Sequence, residues 1–336
     1  MNNLPFAILR GVQAERAFSA FWDPLVSANP RATVFQTSAW YQAWLEAVAG
    51  REGAEPIVLR VGSERAPRAA LALQRCRVAN AGHTLRPLSW PWADYHDAIG
   101  SPFDGPARTT LCNALHVLAA EESCPLLLDE LVPAGLLDTA LSSLGYSAEH
   151  ASETESVDLT NDTHLERVLG RKEHLTKLRR IQRLGELRCE HHAQPEDIAR
   201  RLPTFIGMHQ AQWQDRTDAV APFEGGVVNE AFMAMVRHLA PRGLLLLTEL
   251  LLSGRPIAMY FGFAYGRHYG AYRTTFGGEL YRFSPGHLML REMIADFRAA
   301  GFRELDLMRG SYAYKREYAN VSSRNRRFAL HERLAV

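Results

Sequence analysis

The sequence predicts a mixed α/β protein, of the α+β kind, built from two similar halves. Three observations carry that expectation. The chain has 336 residues, about twice the roughly 150 of a typical domain. Its 47 % hydrophobic and 22 % charged residues, with a net charge of +1, are the composition of a folded globular chain. One order of elements (helix, antiparallel hairpin, strand, loop, helix, strand) is readable twice. The polar stretch Ala151-Ser152-Glu153-Thr154-Glu155-Ser156 reads as the join. The expected domains are therefore 1–152 and 153–336.

In the first half, Thr37 or Ser38 caps a helix through Trp40, Trp44 and Val48, which Gly50 ends. Two strand-like runs follow, Pro56 to Val61 and Ala69 to Val78, joined by the turn Gly62-Ser63-Glu64. Then come a third run near Leu85 to Leu88, an aromatic loop, a helix from Ala107 to Ala120, and a short strand, Leu126 to Leu128. Between the halves, Leu165 to Arg188 reads as one long basic helix carrying Arg171, Lys172, Lys177, Arg179, Arg180 and Arg183. Its charge suits either a solvated face or an anion site. A helix from Pro203 to Gln214 and one from Glu230 to Leu239 precede the apolar strand Leu244 to Leu252. Ser253-Gly254-Arg255-Pro256 has hairpin-turn chemistry. Strands Ile257 to Tyr265 and His268 to Thr275, a helix from Pro285 to Ala300 and strand Glu304 to Met308 close the series.

The near-neutral charge argues against wholesale nucleic-acid binding, so no nucleic-acid partner is expected. No apolar run approaches the roughly 20 residues of a membrane-spanning helix. Met1 to Pro5 lacks the basic start and apolar core of a secretory leader. Cys76, Cys112, Cys124 and Cys189 form no C-x-x-C pair, the usage of a reducing cytoplasm. Cys189, His191 and His192 lack the spacing of a tetrahedral zinc site and read as a polar turn after a strand, so no metal is expected.

The sharpest local signal is Tyr281-Arg282-Phe283-Ser284-Pro285-Gly286-His287. Ser284 is a good N-cap residue and Pro285 suits the first helical position. Leu290, Met293, Ile294 and Phe297 form an apolar stripe at helical spacing, and Gly301 ends the helix. The amides of Gly286, His287 and Leu288 would then face outward at the positive end of the helix dipole, a device suited to a pyrophosphate. Taken alone, the motif fits a well-capped core helix equally well.

Strand, loop, helix start, strand is also the order in which acyltransferases of the GNAT superfamily hold coenzyme A. The closing stretch Gly301-Phe302-Arg303-Glu304-Leu305-Asp306-Leu307-Met308-Arg309-Gly310, then Tyr312, Tyr314-Lys315 and Tyr318, is more specific. It resembles the acetyltransferase family named for the cellulose-biosynthesis protein CelD, a relative of the FemAB peptidyltransferases. That family shows a helix opening S-P-G, then D-x-x-x-G and Y-K. Phe35 to Trp40 with Trp44, Trp92-Ala93-Asp94-Tyr95, the basic helix, and His209 with Trp213 are similar as well. The resemblance implies two tandem GNAT-like mixed-sheet domains with a groove between them. The N-terminal domain would face the acceptor. The C-terminal domain would bind the acyl donor and catalyse, with Thr274, Arg282, Ser284, Gly286, His287, Leu288 and Tyr314 on the donor. The superfamily loop Q/R-x-x-G-x-G/A is not kept, because His287 stands at its second glycine.

Such chemistry is direct transfer: an amine attacks the thioester carbonyl, a base takes its proton and donors hold the oxyanion. No G-x-S-x-G elbow is present to supply a covalent nucleophile. His209, one turn before Trp213, has an intrinsic pKa suited to proton transfer, or is a packing histidine. Glu249 interrupts an apolar strand, where a carboxylate is paired, used, or turned to solvent. Asp306 matches the family's aspartate, or tethers Lys315 or Arg309. Lys315 would hold donor phosphate or polarise the carbonyl. Trp92, Asp94 and Tyr95 of the aromatic loop, with Trp213, Tyr272 and Arg273, are the acceptor-binding candidates. The bland reading of the loop is core packing.

The expectation is an N-acyltransferase with no permanently bound cofactor. It would use acyl-CoA or acyl-carrier protein as co-substrate and an amine acceptor, either an amino sugar of surface polysaccharide or a long-chain amino lipid such as a sphingoid base. It would work in the cytoplasm, with room for peripheral contact at the inner membrane face. The alternatives are a FemAB-like transferase that takes its acyl group from aminoacyl-tRNA, and a non-catalytic acyl-CoA-binding module.

Overall fold

The structure is a computed structural model that describes residues 4–78, 82–100, 103–213 and 226–330. The chain divides into two units, Met1–Ser152 with Arg324–Val336, and Glu153–Ser323. In chain order the elements begin with β1 (Phe6–Arg10), α1 (Val12–Ala20), α2 (Trp22–Ser27), α3 (Ser38–Trp44), α4 (Gly50–Glu52), β2 (Glu55–Gly62), β3 (Pro67–Val78) and β4 (Gly82–Pro87). There follow β5 (Ile99–Gly100), α5 (Gly105–Glu122), β6 (Leu126–Leu131), α6 (Leu136–Ser143), β7 (Glu149–Asp158), α7 (Asp162–Leu169), α8 (Lys172–Gln182) and β8 (Leu187–His192). Next are α9 (Pro195–Trp213), α10 (Gly226–Leu239), β9 (Leu245–Leu252), β10 (Arg255–Tyr265) and β11 (His268–Phe276). The series ends with α11 (Pro285–Ala299), β12 (Glu304–Arg309), α12 (Ala313–Tyr318) and β13 (Val321–Leu330).

The first unit's sheet runs β1-β2-β3-β4-β6-β13, with β5 on β3. Its register is set by buried alternation: Ile57 faces Leu73, Leu59 faces Leu71 and Val61 faces Ala69 across β2 and β3. Those side chains share a core with Leu111, Leu115 and Leu118 of α5. Thr37 accepts the Trp40 amide and caps α3, as its residue type suggests. The helical run does not stop at Gly50. It continues through α4 to Gly53, which is left-handed at φ 58°.

The last strand departs from the simple halving of the chain. From Arg324 on, β13 joins the first unit, where Phe328 pairs with Leu128 and Leu330 with Leu126. Phe328 and Leu330 complete the apolar core under α5. Asn325 is fully buried, and its amide donates to the Asp94 carbonyl (2.9 Å) and to Glu130 (2.8 Å). Arg327 and Arg86 both pair with the buried Asp129.

The second unit's sheet runs β7-β12-β11-β10-β9-β8. The β9–β10 hairpin turns on Ser253-Gly254 alone, because Leu252 pairs with Arg255. Both turn residues are left-handed, at φ 49° and 78°, the geometry that matches strand twist. Three sequence expectations change here. Leu165–Arg188 is not one helix but α7, α8 and the start of β8. Leu165, Val168 and Ile181 all enter one core, and a straight helix would place Ile181 about 160° around from Leu165. The break at Gly170 and Arg171 lets both ends reach it. Pro203 does not open a helix but lies inside α9. The polar join around Ala151–Ser156 is part of β7, with Thr154, Glu155 and Ser156 buried. Among the described residues, no helix is long and apolar enough to cross a membrane.

Candidate functional site

In the second unit β11 and β12 begin side by side and then part. Their parallel pairing covers His268, Tyr269 and Gly270 against Glu304, Leu305 and Asp306, yet β11 runs on to Phe276 and β12 to Arg309. The cause is a bulge in β12. Met308 is left-handed at φ 64°, and the Asp306 carboxylate accepts its amide at 2.7 Å. The register of β12 against β7 slips between Asp306 and Arg309. Lys315, 3 % exposed, donates to the freed carbonyls of Met308 (3.0 Å) and Arg309 (2.6 Å). Gly270 leaves room beside the bulge for the Met308 methyl, which a Cβ there would meet at 2.0 Å and displace.

Hydroxyls and a carboxylate cluster next to the bulge. Tyr260, opposite Thr274 on the hairpin, has the side chains of Thr274 and Tyr314 near its hydroxyl. Burial raises the Tyr260 phenol, and it raises the Tyr314 phenol too, with Tyr260 itself the next cause there. Both therefore stay protonated near neutrality and can donate. Glu155 lies on β7, 4 % exposed. One of its oxygens accepts from Ser311 at 2.8 Å, and the other is buried without a partner. Glu155, Tyr260 and Ser311 were not singled out from the sequence.

The start of α11 lies at the other end of the β11–α11 loop. Ser284 does not cap it in the expected way. It is left-handed at φ 52° and its side chain makes no capping bond. Its hydroxyl instead accepts from Lys177 of α8 at 3.0 Å. The amides of His287 and Leu288 are not free either, since both donate to the Ser284 carbonyl, at 3.0 and 3.2 Å. Leu288 is wholly buried. A Cβ added at Gly286 would meet only the Phe276 ring, at 3.5 Å. His287 lies 3.1 Å from the Tyr318 hydroxyl, with its pKa lowered chiefly by burial. Arg171 binds the Glu317 carboxylate (2.9 Å) and carbonyl (2.6 Å) close by. Arg282 lies over the Phe283 ring at 4.9 Å.

A second group of predicted residues gathers around α9 and β11. The His209 ring stacks on Phe205 at 5.9 Å. Burial first and Arg273 second lower its pKa to about 4, so it is neutral at pH 7. Arg273 sits 3.9 Å over the Tyr272 ring. A hollow beside them is lined by Met208, Gln212, Phe276 and Tyr281. Trp213 ends α9, and its side chain lies outside the described residues. Glu249 stands apart on β9, buried, and bonded to Arg201 (2.6 Å) and His192 (2.9 Å). Trp92, Asp94 and Tyr95 belong to the first unit and are buried there. The Trp92 indole donates to Glu52 at 3.0 Å, and the Tyr95 carbonyl accepts from Gln36 at 2.9 Å.

Residues 170–316 match the family model Acetyltransf_6, described as an acetyltransferase (GNAT) domain. The second unit carries a GNAT-type domain. Among solved structures, FemX is similar over 92 % of this chain and 94 % of its own, with a TM-score of 0.65 and 12 % identity. The C-terminal domain of an Agrobacterium fabrum protein assigned as a lysylphosphatidylglycerol synthetase has a TM-score of 0.61 and 14 % identity, covering 95 % and 92 %. The L-PGS of Bacillus licheniformis has a TM-score of 0.55 and 11 % identity, covering 80 % and 82 %. At these identities the likeness is one of fold, that of tandem GNAT-like mixed-sheet domains. No curated protein matches the chain.

Proposed function

We propose that the protein is an N-acyltransferase of the CelD-like kind. It would move an acyl group from acyl-CoA or an acyl-carrier protein to an amine on a sugar or a long-chain lipid. The observation that carries this reading is the parting of β11 and β12 beside Tyr260, Thr274 and Tyr314. Lys177 and the Gly286 turn, at the head of α11, supply the positive end that donor phosphates need. In this reading Tyr314 or Tyr260 protonates the departing thiolate, and His209, neutral at pH 7, accepts the amine proton. Asp306 and Lys315 shape the bulge. Arg273 and Tyr272 line the acceptor side.

The test is thermal shift against coenzyme A, acetyl-CoA and longer acyl-CoAs. Ligand at 100 times its Kd adds about 2.7 kcal/mol of stability. A rise that depends on chain length is expected. In Gly286→Val, whose Cβ has ordinary room, the rise should be lost while the unliganded melt stays close to wild type. No shift with any acyl-CoA, beside salt-sensitive binding of aminoacyl-tRNA, would move the assignment to an aminoacyl donor. Binding without turnover on any amine would leave a sensing module.

The low pKa of His209 makes a separate prediction. Only the neutral ring accepts a proton, so the limb set by His209 should carry kcat/KM down as pH drops through about 4. His209→Ala should lower kcat about 10²- to 10⁴-fold with donor affinity unchanged. An acid limb that survives this substitution assigns the base elsewhere.

A further inference from the structure

We propose that Cys189, His191 and Asp296 form a site for a zinc-like divalent cation, separate from the acyl-transfer site. Residues two apart on a strand share a face, so β8 points Cys189 and His191 together. His192, the next residue along the strand, turns the other way to Glu249. The third group comes from α11. His191 Nε2 is 3.0 Å from Asp296 Oδ2 and 4.0 Å from Cys189 Sγ, and all three ligand atoms lie within 4.8 Å of one another. Tetrahedral zinc with ordinary bond lengths needs N···O of about 3.3 Å and S···N of about 3.6 Å. The atoms present are a few tenths of an ångström from those edges.

The surroundings fit a cation. His191 Nδ1 is engaged by Thr248 Oγ1 at 2.9 Å, the outer bond that orients a metal-binding imidazole and leaves Nε2 for the ion. The Phe297 ring packs against the histidine at 4.9 Å. Water can fill the fourth position. Thiolate with imidazole favours zinc over magnesium or calcium. The His191 and Asp296 side chains are 24 % and 44 % exposed, so an ion can enter. Asp296 is ten residues, about 15 Å, along α11 from Gly286. The histidine pair near the start of that helix, His174 and His287 with Glu317, also falls within bonding range of one ion. There, however, Arg171 already holds the carboxylate, a setting for anions.

The full-length protein, stripped with chelator, should bind one equivalent of Zn²⁺ in competition with a chromophoric chelator. Co²⁺ should give the intense near-ultraviolet band of a cobalt–thiolate bond. Cys189→Ser should abolish that band, and His191→Gln and Asp296→Asn should each weaken zinc by about 10- to 100-fold or more. His174→Gln should change nothing. The unliganded melts of the variants confirm that each is folded. A cobalt spectrum without the thiolate band, or zinc affinity unchanged in folded Cys189→Ser, overturns the proposal. Loss of binding in His174→Gln would do so as well, by placing the ion at the other cluster.

Discussion

A chain ended after Ser323 is expected to lose the fold of the first unit and keep that of the second. The missing strand carries Phe328 and Leu330, which lie in the first unit's core beneath α5. Voids of that kind cost about 3–5 kcal/mol for a phenylalanine and about 2–5 for a leucine. The loss goes further. Without Asn325, the Asp94 carbonyl and one Glu130 oxygen lose a buried donor, and without Arg327 the buried Asp129 keeps only Arg86. Against a domain stability of about 5–15 kcal/mol, the sum is decisive. Limited proteolysis with mass spectrometry is the measurement. Rapid digestion within residues 4–148 and persistence of the segment 153–323 are expected. A single cooperative melt near the wild-type temperature would refute it.

Lys315→Met should be the most damaging single substitution near the strand parting. The ammonium is buried and donates to two carbonyls, those of Met308 and Arg309. Methionine fills the space of the stem but donates nothing. Each orphaned buried carbonyl costs about 1–3 kcal/mol, so a loss on the order of 3 kcal/mol is expected in denaturant melts. Because those carbonyls sit on the bulge, acyl-CoA affinity should fall with stability. A lysine that touched donor phosphate and did no structural work would lower donor affinity alone and leave the melt unchanged.

What was legible in the sequence was what local chemistry decides. Ser253-Gly254 takes the left-handed conformations a two-residue hairpin requires. The apolar stripe of α11 and the alternation of β2 and β3 depend on one element at a time. What was not legible depends on partners distant in the chain. Ser284 has the residue type and the following proline of a cap, but Lys177, more than a hundred residues away, takes its hydroxyl. Ser-Glu-Thr-Glu-Ser has no apolar period, so β7 read as a join, and Glu155 with its unpartnered oxygen was passed over. Aromatic residues look alike whether they face a substrate or a core, and Trp92 and Tyr95 are buried. The alternation of β13 marks a strand but carries no sign of which sheet it will enter.

That last strand also sets an order in time. The first unit is spelled out by residue 152 but waits for Arg324. At about 5–20 residues per second, the interval is on the order of ten to thirty seconds of translation. Meanwhile Leu126 and Leu128 of β6 have no β13 to cover them. The second unit is complete in sequence before the first can close, so it should be the first to become protease-resistant on the ribosome. The nascent N-terminal half is then the natural client of a holdase, and stalling before residue 324 would leave it exposed.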